Sequence, residues 1–450
     1  MKIAVVYQLW NPGGLTRFTH ALMDGLLDVD KTATIGYFAS ENLVLSGRIP
    51  EFSDPSRVVT VGIVDPKARD SNVGDPNVRY PGWRIGVHWI AARLAGHQRV
   101  YLVAQSGYRL VLTTLSLPFW WRRRRPWNQV HFQPEVLEAL TAYDVVYLPF
   151  PYHIDPAKIA APVVATFHDL NHKYFPNGVK QLDRQLKFWT ARADAAVVST
   201  RFVENDLVKY YPGAAGRTSV VFVAPYSFTP MTEAARLAAV ERFGLTDRGY
   251  VIYPANHSRH KNLLGLLRAA DLMKRAGGKL PCPIVITGYG TDGLGADKWP
   301  SLAESDRFLE SSDLVLGRDV YALGLVTDEE IDALTRSAAL VVSTSLYEAG
   351  CGPALDAWQF GVPVAFSNIP PFLEQLDALG VEAWSFDPED PQDIARVISE
   401  ALAAREQSLA MAARSKEAIR RYTWKQAAAG YLRIFEQAIE HYRAGQPNAN

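Results

Sequence analysis

The sequence predicts an α/β protein of two doubly wound domains, and three observations lead there. Short apolar runs alternate with helix-like segments through both halves of the chain, the pattern of parallel strands covered by helices. The chain has 450 residues, more than one hydrophobic core usually serves. Midway, the stretch APYSFTPM at Ala224–Met231 brings two prolines and breaks the alternation.

Taken in order, the opening MKIAVVYQL is too brief an apolar run for a targeting segment and is followed by no small-residue cleavage site, so Ile3–Tyr7 reads as a first buried strand. A helix follows at Phe18–Leu27. Further strands are expected at Thr34–Tyr37, Val145–Leu148, Val163–Phe167 and Ala196–Ser199. Past the proline break they are expected at Val251–Tyr253, Ile284–Thr287, Asp319–Ala322, Leu340–Ser343 and Val362–Phe366, with helices at Leu263–Met273 and Ala354–Phe360. The last helix, around Trp424–Tyr442, repeats apolar residues at helical spacing and should pack on a body, with PNAN fraying beyond it. Between Pro66 and Pro134 the pattern is irregular and rich in Arg and Trp. Its extreme, Trp120–Trp127 with a run of four arginines, suits a membrane interface with anionic head groups; it equally suits a solvated basic loop whose aromatics pack locally.

Composition narrows the function. Apolar residues at 48% and charged residues at 21% place the chain among soluble globular proteins rather than disordered ones. Lys+Arg and Asp+Glu are both 47, which argues against a chain built to coat nucleic acid. Two cysteines, Cys282 and Cys351, are too few for a disulfide framework or a cysteine metal site and point to a reducing cytosol. No H-E-x-x-H or G-x-S-x-G pattern occurs, and no uninterrupted apolar stretch is long enough to cross a bilayer.

The most informative segment is LYEAGCGPALD, Leu346–Asp356, where Glu348 and Asp356 stand eight residues apart across a Gly-Pro turn between a strand and a helix. Backbone N–H groups and the helix dipole there favour an anion, while the carboxylates can accept hydrogen bonds from sugar hydroxyls. A bound group with both phosphates and hydroxyls is expected, although such turns also occur merely to connect strand and helix. Paired carboxylates alone do not establish glycoside hydrolysis, since nothing in a turn places them on either side of one bond. After the first strand, Gly13 and Gly14 let backbone approach a ligand before a helix, as a plain turn also would. His168 and Asp169 stand at a strand's C-terminal end, where such sheets bind ligands. Arg259, His260 and Lys261 cluster after another strand and before a helix, suited to neutralising a diphosphate. Gly288–Gly293 matches G-x-G-x-x-G, but no helix opens promptly after it, so a turn is expected instead of a dinucleotide site.

Together these blocks resemble the family-4 glycosyltransferases of GT-B architecture. The likeness runs over most of the chain: Gly-Gly after the first strand, HDLNHKYFP at His168–Pro176, STRFVENDL at Ser199–Leu207, YPANHSRHKN at Tyr253–Asn262, LGLVTDEEIDAL at Leu323–Leu334 and STSLYEAGCGPALD at Ser343–Asp356. Within the family it is similar to the branch with HDLxHxxFP and YPAxxxxHKN signatures, associated with mannosyl or related hexosyl transfer.

The resemblance implies two Rossmann-like domains facing a central cleft: residues 1–225 on the acceptor side, with the irregular 66–134 region inside it, and residues 226–420 binding the nucleotide sugar. Residues 421–450 would form a helix packing back on the N-terminal domain, and a tail. It implies retaining, metal-independent transfer of a hexose, mannose before glucose, from a nucleoside diphosphate sugar such as GDP-mannose or UDP-hexose to a hydroxyl of a saccharide or lipid-linked saccharide in polysaccharide biosynthesis. The donor is a substrate and no cofactor is required.

By the same resemblance Glu348 would hold donor-sugar hydroxyls, Asp356 the ribose, and Arg259 and Lys261 the diphosphate, with Gly13 and Gly14 near it. His168 would line the donor sugar and the acceptor side. Asn262, Gly350, Cys351, Gly352, Pro353, Ala354 and Leu355 would complete the donor site. The sequence departs from the family at Asp356, usually Glu, and at Cys351, usually Phe; His260 stands where Arg is common. The expected location is the cytoplasm, at the inner membrane face if Trp120–Trp127 touches lipid. A sugar-nucleotide epimerase and a non-catalytic sugar-nucleotide binder are the competing readings.

Overall fold

The computed structural model of the protein describes residues 1–7, 14–40, 52–63, 132–175, 180–226 and 230–445. Gly13, Trp120–Trp127 and the PNAN tail lie outside the described residues. The chain begins β1 (Lys2–Tyr7), α1 (Gly14–Val29), β2 (Thr34–Ser40), β3 (Val58–Ile63), α2 (Pro134–Leu140), β4 (Val145–Leu148) and β5 (Val163–Thr166). It continues α3 (Asn171–Tyr174), α4 (Lys180–Arg192), β6 (Ala195–Val198), α5 (Arg201–Tyr210), β7 (Thr218–Val220) and α6 (Glu233–Glu241). Then come β8 (Val251–Pro254), α7 (Leu263–Gly277), β9 (Ile284–Thr287), α8 (Ala303–Ser311), β10 (Val320–Gly324), α9 (Asp328–Arg336) and β11 (Leu340–Ser343). The last elements are α10 (Gly352–Phe360), β12 (Val364–Ser367), α11 (Pro370–Leu379), β13 (Trp384–Phe386), α12 (Pro391–Ala403), α13 (Arg405–Ile419) and α14 (Trp424–Gly445).

Two sheets result, ordered β3-β2-β1-β4-β5-β6-β7 and β10-β9-β8-β11-β12-β13. The pairings from β3 through β5 and from β10 through β13 are parallel, as strands joined by helices require. The expected two-sheet α/β architecture is therefore present. Three strands that the apolar pattern does not announce, β3, β7 and β13, all lie at sheet edges.

Two compact units carry the chain, one of Met1–Phe167, Lys180–Ala196 and Leu432–Asn450, the other of His168–Val179 and Val197–Tyr431. In the first, β4 is buried along its whole length and β1 along all but its first residue, so both faces of the sheet are covered. The second half of α14 packs here, with the Phe435 ring 5.4 Å from that of Tyr147.

In the second unit, successive residues of one strand feed opposite faces of the sheet. Val251 and Tyr253 of β8 pack with Leu266 and Leu267 of α7 and Ile394 and Ile398 of α12, while Tyr250 and Ile252 pack with Leu334 of α9 and Trp358 of α10. That alternation with a period of two makes every central strand read as continuously apolar. Among the described residues no helix is long and apolar enough to cross a membrane.

Candidate active site

In the second sheet β8 comes first; the chain then builds outward to β9 and β10 on one side and returns to build β11, β12 and β13 on the other. Beyond the C-terminal ends of such strands, the point where the order reverses leaves a crevice in which open α/β sheets bind ligands. Here that point lies between β8 and β11, and the two loops leaving it carry the residues singled out in the sequence. Lys261 follows β8 and Glu348 follows β11.

The two loops are joined by a chain of hydrogen bonds. Lys261 Nζ pairs with Glu348 Oε1, each side chain about four-fifths buried. Ser345 Oγ donates to the same Oε1 at 2.8 Å, and Tyr253 Oη and Ser345 Oγ are 2.9 Å apart. Tyr253 Oη lies 2.8 Å from the Lys261 carbonyl oxygen as well, so its one proton serves both that carbonyl and Ser345, and Leu346 N donates to the His260 carbonyl at 2.7 Å. Burial alone would lower the Lys261 pKa, but the Glu348 carboxylate outweighs it and holds the ammonium charged, above the ordinary lysine value. His260 is pushed the other way, down to about 4, chiefly by burial, so its imidazole is neutral at pH 7. Arg259 is exposed on the same short turn.

Asn262 closes that turn in the left-handed region, at φ 54°, and caps α7 by accepting from Gly265 N at 3.1 Å. Its Nδ2 donates to the Pro388 carbonyl at 2.8 Å. Both polar ends of the side chain therefore hold the Arg259–Lys261 turn in place.

The turn after β5 reaches the same place. His168 is half-buried, and the neighbouring Asp169 lies close enough to Glu348 and Lys261 for both to act on its charge. Burial pushes the Asp169 carboxyl up, a hydrogen bond from Asn171 N pulls it down, Glu348 raises it and Lys261 lowers it, leaving it at about 6. The sign of its effect on stability follows. The folded chain holds this proton more tightly than the unfolded one, so the contribution is complete below the unfolded value of about 4 and is lost as pH rises through about 6. Asp169→Asn should therefore gain in Tm relative to the wild type as pH goes from about 4 to 7. Calorimetric melts at several pH values check this, and parallel curves for the two proteins would refute it.

Beyond Glu348, Cys351 precedes α10, with Gly352 and Pro353 in its first turn, where proline's missing N–H does no harm. The Cys351 thiol is buried, and burial pushes its pKa up to about 12, so it is inert at neutral pH. Cys351 N donates to Gln375 Oε1 at 2.8 Å, fixing the entry to the helix. Ala354 and Leu355 bury their side chains in the core and can offer a ligand only backbone. Asp356 is half-buried one turn into the helix. Gly350 and Gly352 both lie outside the left-handed region; a Cβ would find Gln375 Oε1 at an ordinary 3.6 Å from the first and no heavy atom within 4 Å of the second. Neither a left-handed backbone nor a close contact with a described residue beyond its chain neighbours demands glycine at either position. In the first unit Gly14 opens α1, and a Cβ there would meet none of the described residues within 4 Å.

The G-x-G-x-x-G match has a different cause. A Cβ on Gly288 would come within 2.2 Å of the Ala255 carbonyl oxygen, so this glycine lets the β8 and β9 loops touch. A short turn at Thr291–Gly293 follows, and a helix begins only at Ala303.

Several residues in this network are not singled out in the sequence. Tyr253 and Ser345 sit in or just beyond apolar strands and look like core; their signal is a polar tip at a strand end, which when buried needs a partner. Tyr347 lies inside the LYEAG block, yet its partners Leu170 and Asp206 are 177 and 141 residues away.

Residues 239–418 match the family model described as Glycosyl transferases group 1. A curated relative, the O-antigen chain mannosyltransferase B of Escherichia coli, is 27% identical over 247 residues, 53% of this chain and 61% of the relative. The D-inositol 3-phosphate glycosyltransferase of Corynebacterium urealyticum is 28% identical over 255 residues, 56% of this chain and 57% of the relative. The chain thus spans less than two thirds of the length of these relatives. Among solved structures, Anabaena Alr3699/HepE in complex with UDP-glucose superposes with a TM-score of 0.62 at 14% identity, covering 96% of this chain and 99% of that one. The fold is GT-B, two Rossmann-like domains built on parallel sheets.

Proposed function

We propose that the chain is a retaining, metal-independent glycosyltransferase that moves a hexose, mannose before glucose, from a nucleoside diphosphate sugar to a hydroxyl of a saccharide or lipid-linked saccharide. The observation that carries this reading is the Lys261–Glu348 pair at the β8/β11 reversal, beside the N-terminus of α10. The matching family and the mannosyl- and glycosyltransferase relatives support the reaction class, and a structural neighbour in complex with UDP-glucose supports the donor class.

In this proposal the Lys261 ammonium and the exposed Arg259 neutralise the diphosphate as it leaves, helped by the α10 N-terminus, which accounts for a lysine kept charged at the site. Glu348 accepts from sugar hydroxyls, Asp356 from the ribose, and His168 lines the sugar. Asn262 and Cys351 act by holding their loops. Gly350 and Gly352 leave room for the donor against the backbone; residues 226–420 take the donor and residues 1–225 the acceptor. The protein supplies no nucleophile. Trp120–Trp127 would hold the enzyme at the cytoplasmic membrane face, where a lipid-linked acceptor is presented.

The experiment is a panel of nucleotide sugars, GDP-mannose and UDP-glucose among them, read first by thermal shift. A donor at a hundred times its Kd adds about 2.7 kcal/mol of stability. The binding donor is then supplied with saccharide acceptors in the presence of EDTA, and the product anomer is read by NMR. A glycosylated product with the donor's anomeric configuration is expected. A rearranged donor without transfer would indicate an epimerase, and binding without turnover a sensor; either would overturn the proposal. Gly352→Ala sharpens the test. A methyl there stands next to Pro353, which disfavours a helical backbone at a preceding residue that carries a Cβ, and this offsets the gain in helix propensity, so stability should change by no more than about 1 kcal/mol in either direction, while the donor-induced shift falls. An undiminished shift would remove Gly352 from the donor site.

A further inference from the structure

One buried polar cluster in the second unit has no part in the chemistry above. Tyr347, almost wholly buried, directly precedes Glu348, and its hydroxyl accepts a hydrogen bond from Leu170 N at 3.1 Å. The same hydroxyl donates to Asp206 Oδ2 at 3.0 Å. Asp206, on α5 and also buried, accepts again from Tyr174 Oη, at 2.7 Å on one oxygen and 2.9 Å on the other. The Tyr174 ring lies 4.5 Å from that of Tyr347, with Phe202 5.7 Å away on the same tyrosine.

This arrangement fixes one peptide group. Leu170 follows Asp169 and stands two residues after His168, so the Leu170 N–H to Tyr347 bond ties the turn bearing those two side chains to the loop bearing Glu348. Burying a carboxylate is expensive unless it is fully hydrogen-bonded, and apolar residues of similar volume usually serve stability as well or better. Asp206 accepts from two phenols, and what those phenols hold is the geometry of the two loops. Burial, and then the Asp206 charge, push the Tyr347 phenol above its ordinary pKa, so it remains a donor at any working pH.

We propose that Tyr347 and Asp206 are positioning residues: the Tyr347 hydroxyl, oriented by the Asp206 carboxylate, holds the Leu170 peptide and thereby sets the His168–Asp169 turn against the Lys261–Glu348 pair. The inference rests on the donor-site reading for its effect on catalysis, but the coupling of the two loops stands apart from it. The bond to Leu170 fixes a turn that contributes no cation to the diphosphate, so its loss acts on turnover more than on donor affinity.

The test uses Tyr347→Phe, which keeps the ring and its contacts with Tyr174 and Phe202 and deletes only the hydroxyl, together with Asp206→Asn and the double variant. Two readouts are taken on the full chain: amide hydrogen exchange of residues 168–175, and kcat against donor Kd by calorimetry. In Tyr347→Phe, exchange in 168–175 should quicken by about tenfold or more while α10 exchanges as in the wild type. Turnover should fall by about tenfold or more while donor Kd changes by less than about threefold. The double variant should be no slower than the slower single one by more than about twofold, because both remove one strut.

Unchanged exchange in 168–175 would overturn the proposal whether or not any sugar is transferred. Turnover within about twofold of the wild type would do the same, as would donor affinity lost in step with kcat, which would mean that Tyr347 acts through Glu348 alone. A wild-type protein that transfers no sugar would defeat the glycosyltransferase reading instead, leaving the exchange result to decide the strut.

Discussion

Lys261→Ala should lower sugar transfer by roughly 10²–10³-fold, the loss seen when one preorganised charge-stabilising group is removed from a developing anion. The reason is positional. Lys261 comes from the loop after β8 at the reversal point of the sheet, and Glu348 keeps it charged there despite burial. A neutral alanine leaves the departing diphosphate with one fewer cation where water cannot easily substitute. Stability should fall less, by about 1–3 kcal/mol, because the pair is one-fifth exposed and Glu348 keeps its bond from Ser345. Steady-state kinetics with the donor identified by thermal shift, alongside calorimetric melts, separate the two effects. Transfer unchanged with every donor tried would remove the role assigned to Lys261, and a loss of turnover no larger than the loss of stability would reduce it to a structural one.

The second large effect belongs to Glu348→Gln. The amide carbonyl can still accept from Ser345 Oγ and from Lys261, so the loop geometry survives, but the largely buried ammonium loses its counter-charge and stability should fall by about 1–3 kcal/mol. What disappears is the negative charge, and with it both the strong acceptor for donor hydroxyls and the influence that holds Lys261 protonated. Transfer should drop by about 10²-fold, expressed mainly in kcat/KM for the donor. The same substitution removes a charge that raises Asp169, so the Asp169 pKa should move down from about 6, readable by carboxyl ¹³C NMR. Wild-type kinetics in the variant would eliminate Glu348 from the donor site.

How much of this could be read in the residues follows from burial. The strands β4, β9 and β11 are buried on both faces from end to end, and the apolar runs Val145–Leu148, Ile284–Thr287 and Leu340–Ser343 mark their bounds to the residue. The missed strands are edges. Val59 of β3 is 62% exposed, β7 is half-buried throughout, and β13 keeps only Phe386 buried, so none needs a continuous apolar run. The remaining edge, β10, was expected at Asp319–Ala322 and runs Val320–Gly324 with a half-buried middle, for the same reason. Helix ends were harder still. Apolar spacing stops α7 at Met273, but the helix continues to Gly277, where Lys274 and Arg275 suit the last turn and Gly278 at φ 70° ends it.

In the candidate site, the charged residues at strand ends were legible because charge at that location needs a reason. The residues that orient them were not. Tyr253, Ser345, Tyr347 and Asp206 act through hydrogen bonds between segments distant in sequence, and no local pattern records which tyrosine hydroxyl will meet which carboxylate. The family resemblance singles out the blocks that these loops carry, but it does not disclose that both polar ends of the Asn262 side chain are engaged inside the protein.

In the proposed reaction Lys261 and Glu348 together receive one nucleoside diphosphate sugar. The most direct measurement is a structure of the protein with the donor selected by the thermal-shift panel. A diphosphate oxygen should lie about 3 Å from Lys261 Nζ and a sugar hydroxyl at similar distance from the Glu348 carboxylate. A donor bound elsewhere, with no atom of it within hydrogen-bonding reach of either side chain, would contradict that assignment.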